Sequence, residues 1–183
     1  MTEILVLYGT TEGHTATIAA HIAETARDKG HNVEVREGSK LPAGFSAEGF
    51  DGIIVGASVH MGKHQPYVAE FVKENLSLLQ GMSSAFFSVS LTAAEQTEES
   101  KAETQKIATE FLDETDWHPD IVAKFAGALV YTQYNFFLRH LMRLIAKRAG
   151  GDTDTSVDYI YTDWEEVKRF TERFLERLSQ SGE

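Results

Sequence analysis

Three threonines and two glycines stand close together in Gly9-Thr10-Thr11-Glu12-Gly13-His14-Thr15. They follow an apolar run, Ile4 to Tyr8, and precede a stretch with Ile18, Ala19, Ile22, Ala23 and Ala26 at helical spacing. A loop that leaves a strand and opens a helix is a ready anion site. Its backbone N–H groups and the positive helix end point at the ligand, glycine allows close approach, and hydroxyls add donors. The competing reading is an ordinary strand–helix connection with threonine capping. Two other phosphate loops can be tested. The dinucleotide fingerprint G-x-G-x-x-G is absent, because the glycines fall at Gly9 and Gly13. Gly56 to Lys63 has one residue too many between its glycines for a Walker loop, and His64 follows the lysine.

Other chemistry is thin. The chain has no cysteine, which excludes disulfides, thiolate metal sites and thiol nucleophiles, and suits a reducing cytoplasm. His60 and His64 are four apart and His14 and His21 lie elsewhere, with no carboxylate set beside them, so no metal is expected. Asp152, Asp154, Ser156 and Asp163 loosely resemble a calcium loop, but Val157 stands where that loop needs glycine. Turns and caps are their expected roles. No nucleophile–base constellation is visible, so no side chain is assigned as a catalytic acid or base.

The elements that must position the loop alternate. Ile4–Tyr8, Asn32–Val35, Gly52–Gly56, Ala85–Val89 and Val122–Val130 read as strands, mostly apolar throughout, as in a sheet buried on both faces. Between them lie a helix from Thr15 to Gly30 and one from Pro66 with Val68, Phe71, Val72, Leu76 and Leu79 on its face. A third runs from Glu98 to Thr115. Asp163 is a candidate cap for a last helix carrying Trp164, Val167, Phe170, Phe174, Leu175 and Leu178, with Glu166 completing a capping box. Strand alternating with helix predicts an α/β fold of one domain, residues 1–183. It is a flavodoxin-like five-stranded parallel sheet with helices on both faces and an insertion at about 131–163, between strand five and the last helix.

The 183 residues are 42% hydrophobic and 25% charged, ordinary for a globular chain, and the net charge of −11 argues against nucleic acid as a partner. That charge is uneven. Ile121 to Gly151 has no carboxylate and five cations, Lys124, Arg139, Arg143, Lys147 and Arg148, so the net −11 is the balance of +5 there and −16 elsewhere. No basic leader precedes an apolar run, and no apolar stretch reaches the ~20 residues needed to span a bilayer.

Val6, Leu7, Tyr8, Thr10, Gly13, Thr15, Ala19 and Ile22 occupy every specified position of the flavodoxin signature, and the chain resembles that family. The resemblance implies FMN, with its phosphate held by Thr10, Thr11, Glu12, Gly13, His14 and Thr15; Glu12 is expected to point outward at the helix start. It also implies two loops around the flavin ring, Ala57-Ser58-Val59-His60-Met61-Gly62 and Ser88-Val89-Ser90-Leu91. Neither loop holds the aromatic that many flavodoxins stack on the ring; Tyr131 and Tyr134 are the candidates to substitute.

Further blocks are similar to the flavodoxin-type, quinone-dependent protoporphyrinogen oxidases of haem synthesis. They are Val55 to Ser58, Ser84 to Leu91, Ala126 to Leu129 with Tyr131, and Gly150 to Thr155 with Tyr161 to Glu165. The similarity includes the insertion, which plain flavodoxins lack. It implies FMN-dependent oxidation of protoporphyrinogen IX with menaquinone or ubiquinone as acceptor. The family's insertion is usually more basic than Val130 to Asn135, and its flavin loop more basic and aromatic than His60-Met61. The alternatives are therefore a flavodoxin-like electron carrier, or an FMN-dependent quinone reductase with another donor.

A helix over Phe136–Ala149 would carry Phe137, Leu138, Leu141, Met142, Leu144, Ile145 and Ala149 on one broad side. Arg139, His140, Arg143 and Lys147 would cluster on the other. It is either packed on its own domain or laid on a membrane surface, cations toward anionic headgroups. The missing acids and a bilayer-resident quinone favour the second, which predicts a peripheral protein on the cytoplasmic face. Tyr131, Tyr134, Arg139, Arg143 and Lys147 are the expected substrate or membrane contacts; the cations suit porphyrin propionates equally.

Overall fold

The computed structural model describes residues 1–183 except 96, 132–141, 145, 148–149 and 182–183. Five strands, β1 (Glu3–Gly9), β2 (Asn32–Glu37), β3 (Gly52–Ser58), β4 (Ser83–Ser90) and β5 (Ile121–Ala126), form a sheet in the order β2-β1-β3-β4-β5. Every pairing in it is parallel. The helices are α1 (His14–Asp28), α2 (Pro66–Glu74), α3 (Leu76–Gln80), α4 (Glu98–Thr115) and α5 (Trp164–Ser181).

The continuous apolar strands follow from burial on two sides. Side chains alternate across a strand. Ile4 and Val6 accordingly join Ile54, Phe87 and Phe125 beneath α1 and α5, where Ile18, Ile22, Phe170 and Phe174 meet them. Leu5 and Leu7 join Ile53, Val55 and Phe86 on the other face, against Val68, Phe71, Phe111 and the fully buried Trp117. Burying each such side chain stabilises the fold by about 1.5–3 kcal/mol before chain entropy is counted.

Two elements differ from the sequence reading. The apolar face running from Val68 to Leu79 is divided at Asn75, whose backbone N–H and side-chain Nδ2 both donate to the Phe71 carbonyl, at 3.1 and 2.9 Å. That cap ends α2, and α3 restarts on the same core. The predicted strand Val122–Val130 stops at Ala126. After Gly127, β6 (Ala128–Leu129) leaves the sheet and pairs antiparallel with β7 (Tyr159–Ile160). A third, smaller core forms there from Leu129, Val130, Tyr131 and Ala146, with Leu91, Met142, Tyr159 and Tyr161 against it. The insertion is thereby tied to the end of β4. The reach of the last helix agrees with its expected start: Asp163 Oδ1 accepts from the N–H groups of Glu165 and Glu166, at 2.9 and 3.1 Å.

Candidate functional site

The register brings the three expected loops to one edge. Gly9 pairs with Ala57, and Ser58 with Val89, so the C-terminal ends of β1, β3 and β4 lie side by side. This is where ligands bind open parallel sheets. The Val59 N–H donates to the Val89 carbonyl (2.8 Å), carrying the pairing of the second and third loops one residue past the strand.

The first loop is built around its glycines. Gly13 is the N-cap of α1 in a left-handed conformation, φ 88°, which a Cβ would strain. It supplies no side-chain cap, and the first turn holds no acid; the Ala16 N–H donates to the Gly13 carbonyl at 3.1 Å, and the positive end of the helix stands at the loop without a protein carboxylate in its first turn. Thr10 Oγ1 accepts from Gly13 N (2.8 Å) and curls the loop. Tyr67 on α2 holds its base, the phenol oxygen accepting from Thr10 N at 3.1 Å. At Gly9 the chain passes so near α2 that a Cβ would lie 2.4 Å from Val68 Cγ2 and 2.8 Å from Gln65 Oε1. Thr11 and Gly13 are exposed, Thr10, Glu12 and His14 partly so, and Thr15 is buried. His14 Nε2 lies 2.7 Å from Thr162 Oγ1, whose hydroxyl donates to the Ala126 carbonyl. That hydroxyl has spent its hydrogen, so His14 is the donor. Burial holds its pKa below the ordinary imidazole value, which disfavours the charged ring at the helix end.

The second loop turns tightly. His60 and Lys63 exchange backbone hydrogen bonds at 2.8 and 3.1 Å, with Met61 and Gly62 both left-handed between them. Met61 stands 91% exposed at the tip, beside the exposed His60. Ala57 and Val89 belong to the two cores, so what they offer a ligand is backbone. Ser88 is buried with its Oγ 2.8 Å from His64 Nε2, and Ser90 Oγ accepts from Ala93 N at 3.2 Å. Leu91 turns toward the insertion.

Three residues of this edge were not legible as site residues. Gln65 donates from Nε2 to Thr11 Oγ1 (3.1 Å) and Ser58 Oγ (2.6 Å). Tyr67 anchors Thr10. His64, weighed in the sequence only beside His60 as a metal ligand and set aside, packs edge-on against both rings of the stacked Phe86–Phe111 pair, centroids 5.4 and 5.0 Å away, and burial drives its pKa down to about 4. The one available signal was position: all three flank Pro66, at the start of a helix that follows a ligand loop.

Beyond the third loop lies a cavity of about 450 Å³. Leu91, Leu129, Met142 and Ala146 make its apolar wall, and Tyr161 stands at the polar side with its hydroxyl on Asp152 Oδ2 (2.7 Å). Tyr131 is fully buried and donates to the Asp152 carbonyl (2.8 Å), so it braces the insertion. Residues 142–144 and 146–147 are helical. Met142 and Ala146 face the small core, while Arg143, Leu144 and Lys147 are exposed. Tyr134 and Arg139 lie outside the described residues. Asp154 Oδ1 accepts from Ser156 N and Oγ (2.9 and 2.6 Å), a turn contact. Among the described residues no cluster of histidine and carboxylate could hold a metal, and no helix is long and apolar enough to cross a membrane.

The geometry can be set beside known proteins. A family model described as "Flavodoxin domain" matches residues 5–156. The chain is 37% identical over 174 residues to the protoporphyrinogen IX dehydrogenase [quinone] of Leishmania major, covering 93% of this chain and 73% of that one. It is 36% identical over 166 residues to the protein of the same name from Escherichia coli K12, covering 91% of each. Among solved structures, oxidised flavodoxin 1 from Bacillus cereus shares the fold with a TM-score of 0.57 at 18% identity, over 96% of this chain and 98% of that one. The chain belongs to the flavodoxin-domain family, within the group that includes the quinone-dependent protoporphyrinogen IX dehydrogenases.

Proposed function

We propose that this protein oxidises protoporphyrinogen IX to protoporphyrin IX with a quinone as electron acceptor and FMN as its redox group. The observation that carries the reading is the joining of a flavodoxin-type loop edge to an insertion that walls an apolar cavity beside β4, in a chain 36% identical over 91% of both lengths to the Escherichia coli enzyme.

The residues at the edge fit FMN. A left-handed Gly13, an uncapped α1 N-terminus and the Thr10, Thr11 and Thr15 hydroxyls suit a terminal phosphate, which accepts hydrogen bonds and donates few. The loops Ala57–Gly62 and Ser88–Leu91 flank the place for a flat ring, offering mainly backbone groups, with the exposed Met61 and His60 at one rim. When bound, FMN supplies the two-electron redox chemistry. The chain orients it and shields it; no described side chain is assigned proton transfer. The cavity lined by Leu91, Leu129, Met142 and Ala146 gives an apolar ring system room next to the β4 loop. Arg143 and Lys147, exposed on either side of Leu144, are the described cations available to propionates or to an anionic membrane surface, and Tyr134 and Arg139 are proposed to join them.

The test is an anaerobic assay of FMN-loaded protein with protoporphyrinogen IX and a menaquinone or ubiquinone analogue, read by porphyrin fluorescence. Growth that depends on the quinone is the expected result. Bound, reducible FMN with no growth would overturn the reading.

A further inference from the structure

Gln65 is 7% exposed, and its Oε1 is buried without a hydrogen-bond partner. An unpaired buried acceptor is destabilising, and native chains keep few of them. The other half of the same amide is fully engaged. Nε2 donates to Thr11 Oγ1 at 3.1 Å and to Ser58 Oγ at 2.6 Å. Thr11 belongs to the first loop and Ser58 to the start of the second, so one amide group ties the two together across 54 and 7 positions of sequence.

The direction of these bonds has a chemical consequence. A hydroxyl has one hydrogen to give and two lone pairs to receive. Here each oxygen receives from Gln65, so each hydrogen points away from the amide. Neither hydroxyl donates to a described protein acceptor. The opposite amide orientation would satisfy Oε1 by consuming both hydrogens. A site for an acceptor-rich ligand needs donors, and phosphate oxygens are the acceptors nearest in kind to Thr11.

We propose that Gln65 is a positioning residue that sets the Thr11 and Ser58 hydroxyls as donors to the ligand, Thr11 to the phosphate, its unpaired Oε1 being the cost of that orientation. The proposal rests on the FMN reading and deepens it. Gln65 touches neither the reacting atoms nor the phosphate; it acts through Thr11 and Ser58.

The test uses the full chain with FMN, with riboflavin as the phosphate-free comparison, and with thermal unfolding of the FMN-free protein. Gln65→Met keeps the shape and removes both donors and the unpaired acceptor. It should weaken FMN about tenfold, the size of one hydrogen bond to a charged acceptor. It should weaken riboflavin less, and leave the unfolding temperature of the FMN-free chain unchanged or higher. Gln65→Glu, an acceptor at the same place, should weaken FMN further. In a Thr11→Val background, Gln65→Met should cost FMN affinity less than it does alone, because its route to the phosphate is gone. A structural prop would behave differently: affinity for both flavins and stability would fall in parallel, and that result overturns the proposal. So would unchanged FMN affinity in Gln65→Met. A wild-type chain that takes up no FMN overturns the cofactor reading itself, and this proposal with it.

Discussion

His64 should make the fold acid-sensitive in a way that one substitution removes. Its ring lies edge-on to Phe86 and Phe111, its Nε2 is 2.8 Å from Ser88 Oγ, and burial lowers its pKa from 6.5 to about 4. A depressed imidazole pKa means the folded chain binds the neutral ring in preference to the charged one. The stability this supplies is complete above the unfolded value of 6.5, falls as pH drops through it, and stops falling below about 4. The full difference of about 2.5 units is worth about 3 kcal/mol, and about 2 kcal/mol of it should be lost by roughly pH 5. His14 and His31 are shifted the same way by burial, so the wild-type slope contains more than His64. The comparison with His64→Gln isolates its share, because an amide can hydrogen-bond the Ser88 hydroxyl as donor or acceptor and cannot titrate. Urea unfolding of the FMN-free chain at several pH values between about 7.5 and 5 is the assay, since a bound phosphate titrates near 6 and would confuse the slope. The variant should lose about 2 kcal/mol less than the wild type across that range. Coincident slopes would refute the argument and place His64 in contact with water.

Three further outcomes are expected. Gly13→Ala, forced into φ 88° with no neighbour to clash, should cost about 1–2 kcal/mol of backbone strain in urea unfolding, and Gly13→Asn less. Gly9→Ala should cost about 1–3 kcal/mol through its overlap with Val68, and Val68→Ala in the same chain should recover part of that, giving a coupling that a double-mutant cycle detects; independent costs would refute the packing argument. Asp163→Ala should cost about 1 kcal/mol by freeing the Glu165 and Glu166 amides, with Asp163→Ser restoring most of it; an unchanged unfolding midpoint would mean that water caps α5 equally well.

What the sequence made legible follows from what was periodic. Ile4 to Tyr8 and Gly52 to Gly56 are apolar at consecutive positions, which a strand needs only when both its faces are covered, and the sheet order follows from that coverage. Glu98–Thr115 agrees in both bounds because its cap, Thr97, and its apolar spacing are local. The run Ala126 to Val130 is different. It is equally apolar whether it extends β5 or turns into β6, and the choice is made by Tyr159–Ile160, two residues too few to show a period. The site divides in the same way. Gly9 to Thr15 could be read because a phosphate loop is a contiguous motif. Gln65, His64 and Tyr67 could not, because each acts on a residue 7 to 57 positions away and nothing local marks the target.

The described helical residues of the insertion, 142–144 and 146–147, bear on what its amphipathic pattern packs against. Apolar residues on one arc and cations on the other are expected of a helix lying on lipid and equally of one lying on protein. Met142 and Ala146 settle that choice for their own positions alone: they meet Leu129 and Tyr131 in the small core beside β4, so these two side chains pack on the domain itself. Leu144 is 48% exposed between Arg143 and Lys147 and does not share that core. Any membrane contact through the described part of the segment therefore has to use its cationic edge with one leucine. One leucine and two cations give weak, salt-sensitive attachment.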